Sequence, residues 1–73
     1  MGYKYDYSKL KGRIVEKLKN QGNFTELMKL SGQTISQKLK GNIEFKQSEI
    51  QRACEILDIP LIEIKEYFFS QKS

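Results

Sequence analysis

The segment from Ser31 to Lys40 has the polar side chains best suited to recognising a nucleic acid. Gln33 and Gln37 lie one helical turn apart, and a glutamine amide can pair with adenine through two hydrogen bonds in the major groove. Lys38 and Lys40 suit phosphates, which position a protein on DNA without reading its sequence. The segment contains no Asp or Glu, whereas a solvated helix usually mixes acids with lysines. An acid-free helix favours a polyanionic partner, although this composition also fits a merely polar surface.

This segment is predicted to be the second of two short helices joined by a tight turn. Asn23 and Glu26 have the spacing of a capping box for the first helix, and Ser31 is suited to cap the second. The turn at Lys29-Leu30-Ser31 has the length found in a helix-turn-helix, which we place at residues 23–41. Such a unit also needs a small residue in its first helix, an apolar residue in the turn and an inward aliphatic in its second helix. These are Thr25, Leu30 and Ile35.

Helical periodicity recurs on both sides of this unit, so the chain is predicted to be an all-α, compact five-helix domain. Ser8 is expected to cap the first helix, and Asn20-Gln21-Gly22 to end it. A fourth helix starts near Gln47, after a linker with apolar anchors at Ile43 and Phe45. The sequence around Pro60 separates it from a fifth helix. The side chains expected to face the core are Leu10, Ile14, Val15, Leu18, Phe24, Leu27, Met28, Ile35, Leu39, Ile50, Ala53, Cys54, Leu57, Leu61, Ile64, Tyr67 and Phe68.

Length and composition argue against several classes of protein. Seventy-three residues form a single domain, residues 1–73, with a small core. No apolar run approaches the ~18 residues of a membrane span, and no apolar segment follows the first charges as in a secretory signal, so a cytoplasmic protein is expected. The sequence has no histidine and a single cysteine, Cys54. Without a nucleophile–base pair, a metal cluster or a phosphate loop, we expect no enzyme, no metal, no cofactor and no small-molecule substrate.

The charges are unevenly distributed along the chain. Residues 1–43 contain nine Lys or Arg and three Asp or Glu, a net charge of +6. Residues 44–73 contain four and six, a net charge of −2. This asymmetry fits a protein that presents one face to a polyanion, although a lysine-rich solvated surface would have the same charge.

The stretch TELMKLSGQTISQKLKGN resembles the helix-turn-helix of the phage repressor, Cro and XRE family. The residues in register with that family are Met28, Leu30, Ser31, Thr34, Ile35 and Ser36, with Gly41 closing the second helix. The flanks, YDYSKLKGRIVEKLKNQGNF and EIQRACEILDIPLIEIKEYFF, are similar to small phage-encoded, Cro-like regulators of gram-positive bacteria. The resemblance implies a lambda-repressor-like fold that binds double-stranded DNA.

The resemblance also implies which residues would touch DNA. Base contacts are expected from Gly32, Gln33 and Gln37, with Ser36 on the same outward face. Contacts to the sugar-phosphate backbone are expected from Ser31, Lys38, Lys40, Asn42, Lys46 and Gln47. Two positions depart from the family pattern: Lys29 occupies the turn position usually held by glycine, and Gly32 has no side chain with which to read a base. A lysine at that turn costs energy if its φ is positive.

Two functions fit these features. The first is a Cro-like transcriptional regulator that binds a near-palindromic operator as a homodimer, with one recognition helix in each half-site. The second is an antirepressor that binds the DNA-binding domain of a phage repressor and blocks it. The second function predicts an exposed apolar patch on or beside the nominal DNA face.

Aromatic residues cluster near both ends of the sequence. Tyr3, Tyr5 and Tyr7 precede the first helix, and Tyr67, Phe68 and Phe69 follow each other in the last. The two groups can pack against each other inside the domain. Alternatively, Tyr67, Phe68 and Phe69 form a dimer or partner interface, where aromatic side chains are enriched.

Overall fold

The structure, a computed structural model that describes residues 5–70, consists of five α-helices and a 3₁₀ turn and confirms the predicted all-α fold. The bounds of the helices are α1, Ser8–Leu18; α2, Gln21–Met28; α3, Gly32–Leu39; α4, Gln47–Leu57; and α5, Ile64–Phe68. The 3₁₀ turn, Leu61–Glu63, leads directly into α5. Three residues, Lys29 to Ser31, separate α2 from α3, as predicted.

The core lies around α1, which packs against α2, α4 and α5. α2 packs against α3 and α4 as well. The largest fully buried side chains are Leu10, Ile14, Phe24, Ile35, Leu57 and Phe68. All six are predicted to be inward from helical spacing, because apolar residues three or four apart share one face of a helix.

Four apolar side chains that the sequence assigns to the core or to anchoring positions lie largely at the surface. They are Val15, Leu27, Ile43 and Leu61. Val15 lies beside the buried Ile14, at the edge of an apolar stripe wider than so small a core can cover. Leu61 belongs to a 3₁₀ turn and not to an α-helix, so α-helical spacing does not set its direction.

The first helix begins differently from its prediction. One carboxylate oxygen of Asp6 accepts hydrogen bonds from the Ser8 backbone N–H, at 2.9 Å, and from the Ser8 hydroxyl, at 2.6 Å. Ser8 is therefore the first residue of α1 and not its cap.

The predicted capping box at Asn23 and Glu26 is wrong, because α2 begins three residues earlier than expected. Lys19 adopts a φ of 78° after α1, which leaves Asn20 at the N-cap of α2. The Asn20 side chain accepts a hydrogen bond from the Asn23 backbone N–H at 2.8 Å. The Asn23 amide in turn donates to the backbone oxygen of Leu18, at 2.6 Å, and so links the two helices.

The two ends of the described chain pack against each other, which matches the first of the two predicted arrangements. Three edge-to-face ring pairs with centroids 5.4–5.5 Å apart are Tyr5–Phe69, Tyr7–Phe45 and Phe45–Phe68. The backbone N–H of Asp6 also donates to the backbone oxygen of Ser70, at 2.6 Å. Tyr3, the remaining member of the predicted cluster, lies outside the described residues.

Lys29, between α2 and α3, adopts the left-handed conformation that its turn position requires. Its φ is 60° and its ψ is 37°, and its backbone N–H bonds to the carbonyls of Thr25 and Glu26. A side chain in this conformation brings Cβ close to the following carbonyl oxygen, whereas glycine has no such contact. The energetic cost predicted for Lys29 is therefore present in the fold.

Replacing Lys29 by glycine is expected to raise the free energy of unfolding by about 0.5–1 kcal/mol. The gain from relieving the left-handed strain is reduced by the larger entropy of glycine in the unfolded chain. Urea unfolding measures the change. The matched control is Lys40→Gly, because Lys40 ends α3 with a φ of −82° and gains nothing from glycine. A gain of equal size in the control would show that backbone strain is not the cause.

Candidate functional site

α3 turns its polar face to solvent because its opposite face is held against the core. Ile35 and Leu39, one turn apart, are both buried. At the start of α3, the Ser31 hydroxyl accepts a hydrogen bond from the Thr34 backbone N–H at 3.1 Å and donates one to Thr34 Oγ1 at 2.8 Å. The predicted cap and the predicted inward pair are confirmed.

The four positions predicted to contact bases differ in their exposure. Gly32 and Gln33 are exposed, while Ser36 and Gln37 are half-buried. Gln37 Oε1 accepts a hydrogen bond from Asn42 Nδ2 at 2.7 Å. Pairing with adenine through both amide groups would compete with this bond. Gln33 is therefore the better placed of the two glutamines to meet a ligand.

Five of the six residues predicted to contact phosphates lie at the surface of the structure. They are Ser31, Lys40, Asn42, Lys46 and Gln47. The prediction for Lys38 is wrong, because only 3% of its surface is exposed. Lys38 lies three residues after Ile35, so both side chains leave α3 on its inner face. This spacing is the sequence signal that separates Lys38 from Lys40.

The ammonium group of Lys38 lies between α3 and the start of α4. Lys38 Nζ is 2.8 Å from Glu49 Oε1 and donates to the backbone oxygen of Glu44 at 2.9 Å. It also lies 5.7 Å from the centroid of the Phe45 ring. A buried charge is tolerated only when it is paired and hydrogen-bonded, and these contacts meet that condition.

Glu49 joins the same cluster to the first turn of α4. Its Oε1 accepts a hydrogen bond from the Lys46 backbone N–H at 2.8 Å, which satisfies a helix N-terminus. Burial alone would raise the pKa of Glu49. The hydrogen bonds from Lys38 and from the Lys46 backbone, with the charges of both lysines, outweigh burial and hold that pKa below its ordinary value. Glu49 is therefore ionised opposite Lys38 at neutral pH.

The partner interface predicted at Tyr67, Phe68 and Phe69 is wrong for the first two residues, because both are buried. Tyr67 and Phe68 lie inside the core, so they are not available to a partner on the surface. Phe69 is 43% exposed, and its ring packs edge to face on Tyr5. The last helix has only five residues and is held at the core by Tyr67 and Phe68, which is why the interface prediction is wrong for these two; for the exposed Phe69 it stays a prediction.

An apolar groove between α4 and the 3₁₀ turn is not predicted from the sequence. Its volume is about 580 Å³. Ile50, Ile59, Leu61 and Ile64 line it together with the buried thiol of Cys54, whose pKa is raised by burial and by the charge of Glu55. No residue of α3 lines it, but Gln47 at the start of α4, one of the predicted phosphate contacts, does, so the groove lies apart from the polar face of α3 and beside the start of α4. Adjacent apolar residues at 61 and 62, directly after Pro60, are the sequence signal for it.

Two further features, a metal site and a membrane-spanning helix, are absent from residues 5–70. No group of three or more His, Cys, Asp or Glu residues in this range is placed to hold a metal ion. Within the same range, no helix combines the length and the apolar character that crossing a membrane requires.

Comparison with known proteins identifies similar chains. Residues 3–71 match the family described as "Protein of unknown function (DUF739)". The structure is similar to the solution structure of the modulator of repression (MOR) of the temperate bacteriophage TP901-1 from Lactococcus lactis. The two chains are 42% identical, and the match covers 90% of this chain and 89% of that one, with a TM-score of 0.79. No curated protein matches the chain.

Removing the carboxylate of Glu49 is expected to destabilise the domain. The Glu49→Gln variant leaves the Lys38 ammonium buried without its counter-charge, which costs about 3 kcal/mol in comparable pairs. Urea unfolding at pH 7 measures the loss. Glu55→Gln is the matched control, because Glu55 is an exposed glutamate on the same helix and should change stability by less than about 0.5 kcal/mol.

The same pair predicts how stability depends on pH. Because the folded-state pKa of Glu49 is lowered, its contribution is fully present above the ordinary glutamate pKa of about 4.3. The contribution is lost as the pH falls through the lower folded-state pKa. Urea unfolding over a pH series should therefore show a steeper acid loss for the unchanged chain than for Glu49→Gln. Parallel curves would mean that Glu49 is not the group responsible.

Proposed function

Because this chain belongs to the family described as "Protein of unknown function (DUF739)" and is 42% identical to a phage modulator of repression, we propose that it modulates repression in a phage. In this proposal it acts as an antirepressor, binding the DNA-binding domain of a phage repressor and blocking its access to the operator. The observation that carries the proposal is the 42% sequence identity, which extends over 90% of this chain and 89% of the modulator. A shared fold alone would not imply a shared function.

Two features of the surface support a protein partner. The polar face of α3 has one cation fewer than its sequence suggests, because Lys38 is buried against Glu49. An exposed apolar groove lies between α4 and the 3₁₀ turn. Exposed apolar patches of this kind are typical of surfaces that bind other proteins.

The proposal predicts that the chain displaces a repressor from its operator. Purified chain is titrated into a preformed complex between labelled operator DNA and the full-length repressor encoded in the same genome, and fluorescence anisotropy follows the DNA. We expect the DNA to be released, and gel filtration to show a complex of the two proteins. A helix-turn-helix repressor from an unrelated phage, on its own operator, is the control. A repressor that keeps its DNA and forms no complex with the chain would contradict the proposal.

A second candidate function is direct binding of an operator by a Cro-like homodimer. It is supported by the acid-free face of α3, by the exposure of Gln33 and by the net charge of +6 on residues 1–43. In this alternative, Gln33 contacts base edges while Lys40 and Lys46 contact phosphates.

Direct binding is tested by titrating the chain against the DNA that flanks its own gene at several salt concentrations. If the alternative holds, log K falls linearly with log salt, with about one unit of slope for each phosphate contact. Gln33→Ala should then weaken binding of the cognate site by ~1–3 kcal/mol. Gln51→Ala, on the outside of α4, is the control and should leave affinity unchanged. The absence of binding at low salt would exclude this candidate.

A further inference from the structure

We propose that the groove between α4 and the 3₁₀ turn is the surface on which this chain holds the repressor, and that its occupant is a basic, partly apolar face of that repressor. The inference rests on the proposed antirepressor function and names the site that would perform it. The observations that support it are an apolar groove, two highly exposed apolar side chains in the 3₁₀ turn of which Leu61 lines the groove, and a lining carboxylate, Glu55, without an ion pair.

The apolar edge of the groove is the most exposed apolar part of the described chain. Leu61 is 79% exposed and Ile62 is 89% exposed, more than any other large apolar side chain in residues 5–70. They are adjacent in the 3₁₀ turn, and Leu61 lines the groove together with Ile50, Ile59 and Ile64. A partner seated here would remove these side chains from water, which is the main favourable term in protein association.

The charge within the lining of the groove favours a basic partner. Glu55 is the one charged residue among those lining it, and Glu63 ends the 3₁₀ turn. Neither carboxylate forms an ion pair with any residue of the described chain. The nearest acid farther along α5, Glu66, is paired with Lys9 at 3.3 Å. Unpaired carboxylates beside an apolar surface are complementary to a face that combines Lys or Arg with apolar side chains.

The DNA-binding face of a repressor has this chemistry. A surface that binds DNA must be positively charged, because phosphate contacts supply much of the affinity. A carboxylate-edged groove can therefore compete with DNA for that face. A second copy of this chain fits less well, because a symmetric pair would bring the Glu55 and Glu63 carboxylates of both copies together.

The location of the groove separates partner binding from the polar face of α3. None of the lining residues belongs to α3, so substitutions at Gln33 should leave repressor binding unchanged. This separation distinguishes the groove from an interface built on the nominal recognition helix.

The test compares charge-changing variants on the groove with matched variants elsewhere. Ile62→Asp and Glu55→Lys alter exposed side chains beside the groove, so the fold should persist, and circular dichroism melting checks it. Val15→Asp on α1 and Glu26→Lys on α2 are the controls, because both residues are also exposed. Isothermal titration calorimetry measures the affinity of each full chain for the full-length repressor of the same genome. Each groove variant should weaken binding about tenfold or more, and each control by less than about twofold.

The possible outcomes separate the groove assignment from the antirepressor function. If the unchanged chain binds the repressor and both groove variants bind it equally well, the groove is not the site while the antirepressor function stands. An equal loss in the controls also overturns the groove assignment. If the unchanged chain forms no complex, both the function and the groove assignment fail. If Ile62→Asp abolishes a dimer in sedimentation but leaves repressor binding intact, the occupant is a second copy, which contradicts the proposal.

Discussion

α3 is joined to the start of α4 through the buried ammonium group of Lys38. The ammonium contacts the Glu49 carboxylate and the Glu44 carbonyl, and the same carboxylate accepts the Lys46 backbone N–H. One acidic side chain therefore fixes the beginning of α4 and holds α3 from inside. Taking these charges out of water is expensive, so the arrangement persists only while all the contacts are made together. Together with the buried Ile35 and Leu39, this cluster fixes which face of α3 is turned to solvent.

Burying Lys38 changes the electrostatic character of the surface that α3 presents. The outward side of α3 has no acids. The exposed cations nearest to it follow the helix in the chain, at Lys40 and Lys46. On a different surface, in the lining of the groove, Glu55 lies beside apolar side chains. The polar face of α3 is thus accompanied by cations, whereas the one charged residue that lines the groove is acidic.

A small helical domain of this shape can bind either DNA or another protein, because its fold fixes where side chains lie and not what they bind. The glutamines of α3 suit base edges, but an amide also suits a protein surface, so they do not decide between the two. The 42% sequence identity to a modulator of repression, over 90% of this chain, is the support for the proposed protein partner. The exposed Leu61 and Ile62 agree with it, since such side chains have no role in binding phosphates.

The sequence by itself determined the features that depend on neighbouring residues. The presence of the helices, the inward residues such as Ile35 and Leu57, and the Ser31 cap follow from contacts within one or two helical turns. Tertiary structure decided the rest. Spacing from Ile35 places Lys38 on the inner face of α3, but its partner Glu49 comes from the next helix, and the groove forms where the 3₁₀ turn passes beside α4. Such pairings join residues that no local pattern connects, so periodicity and capping rules do not contain them.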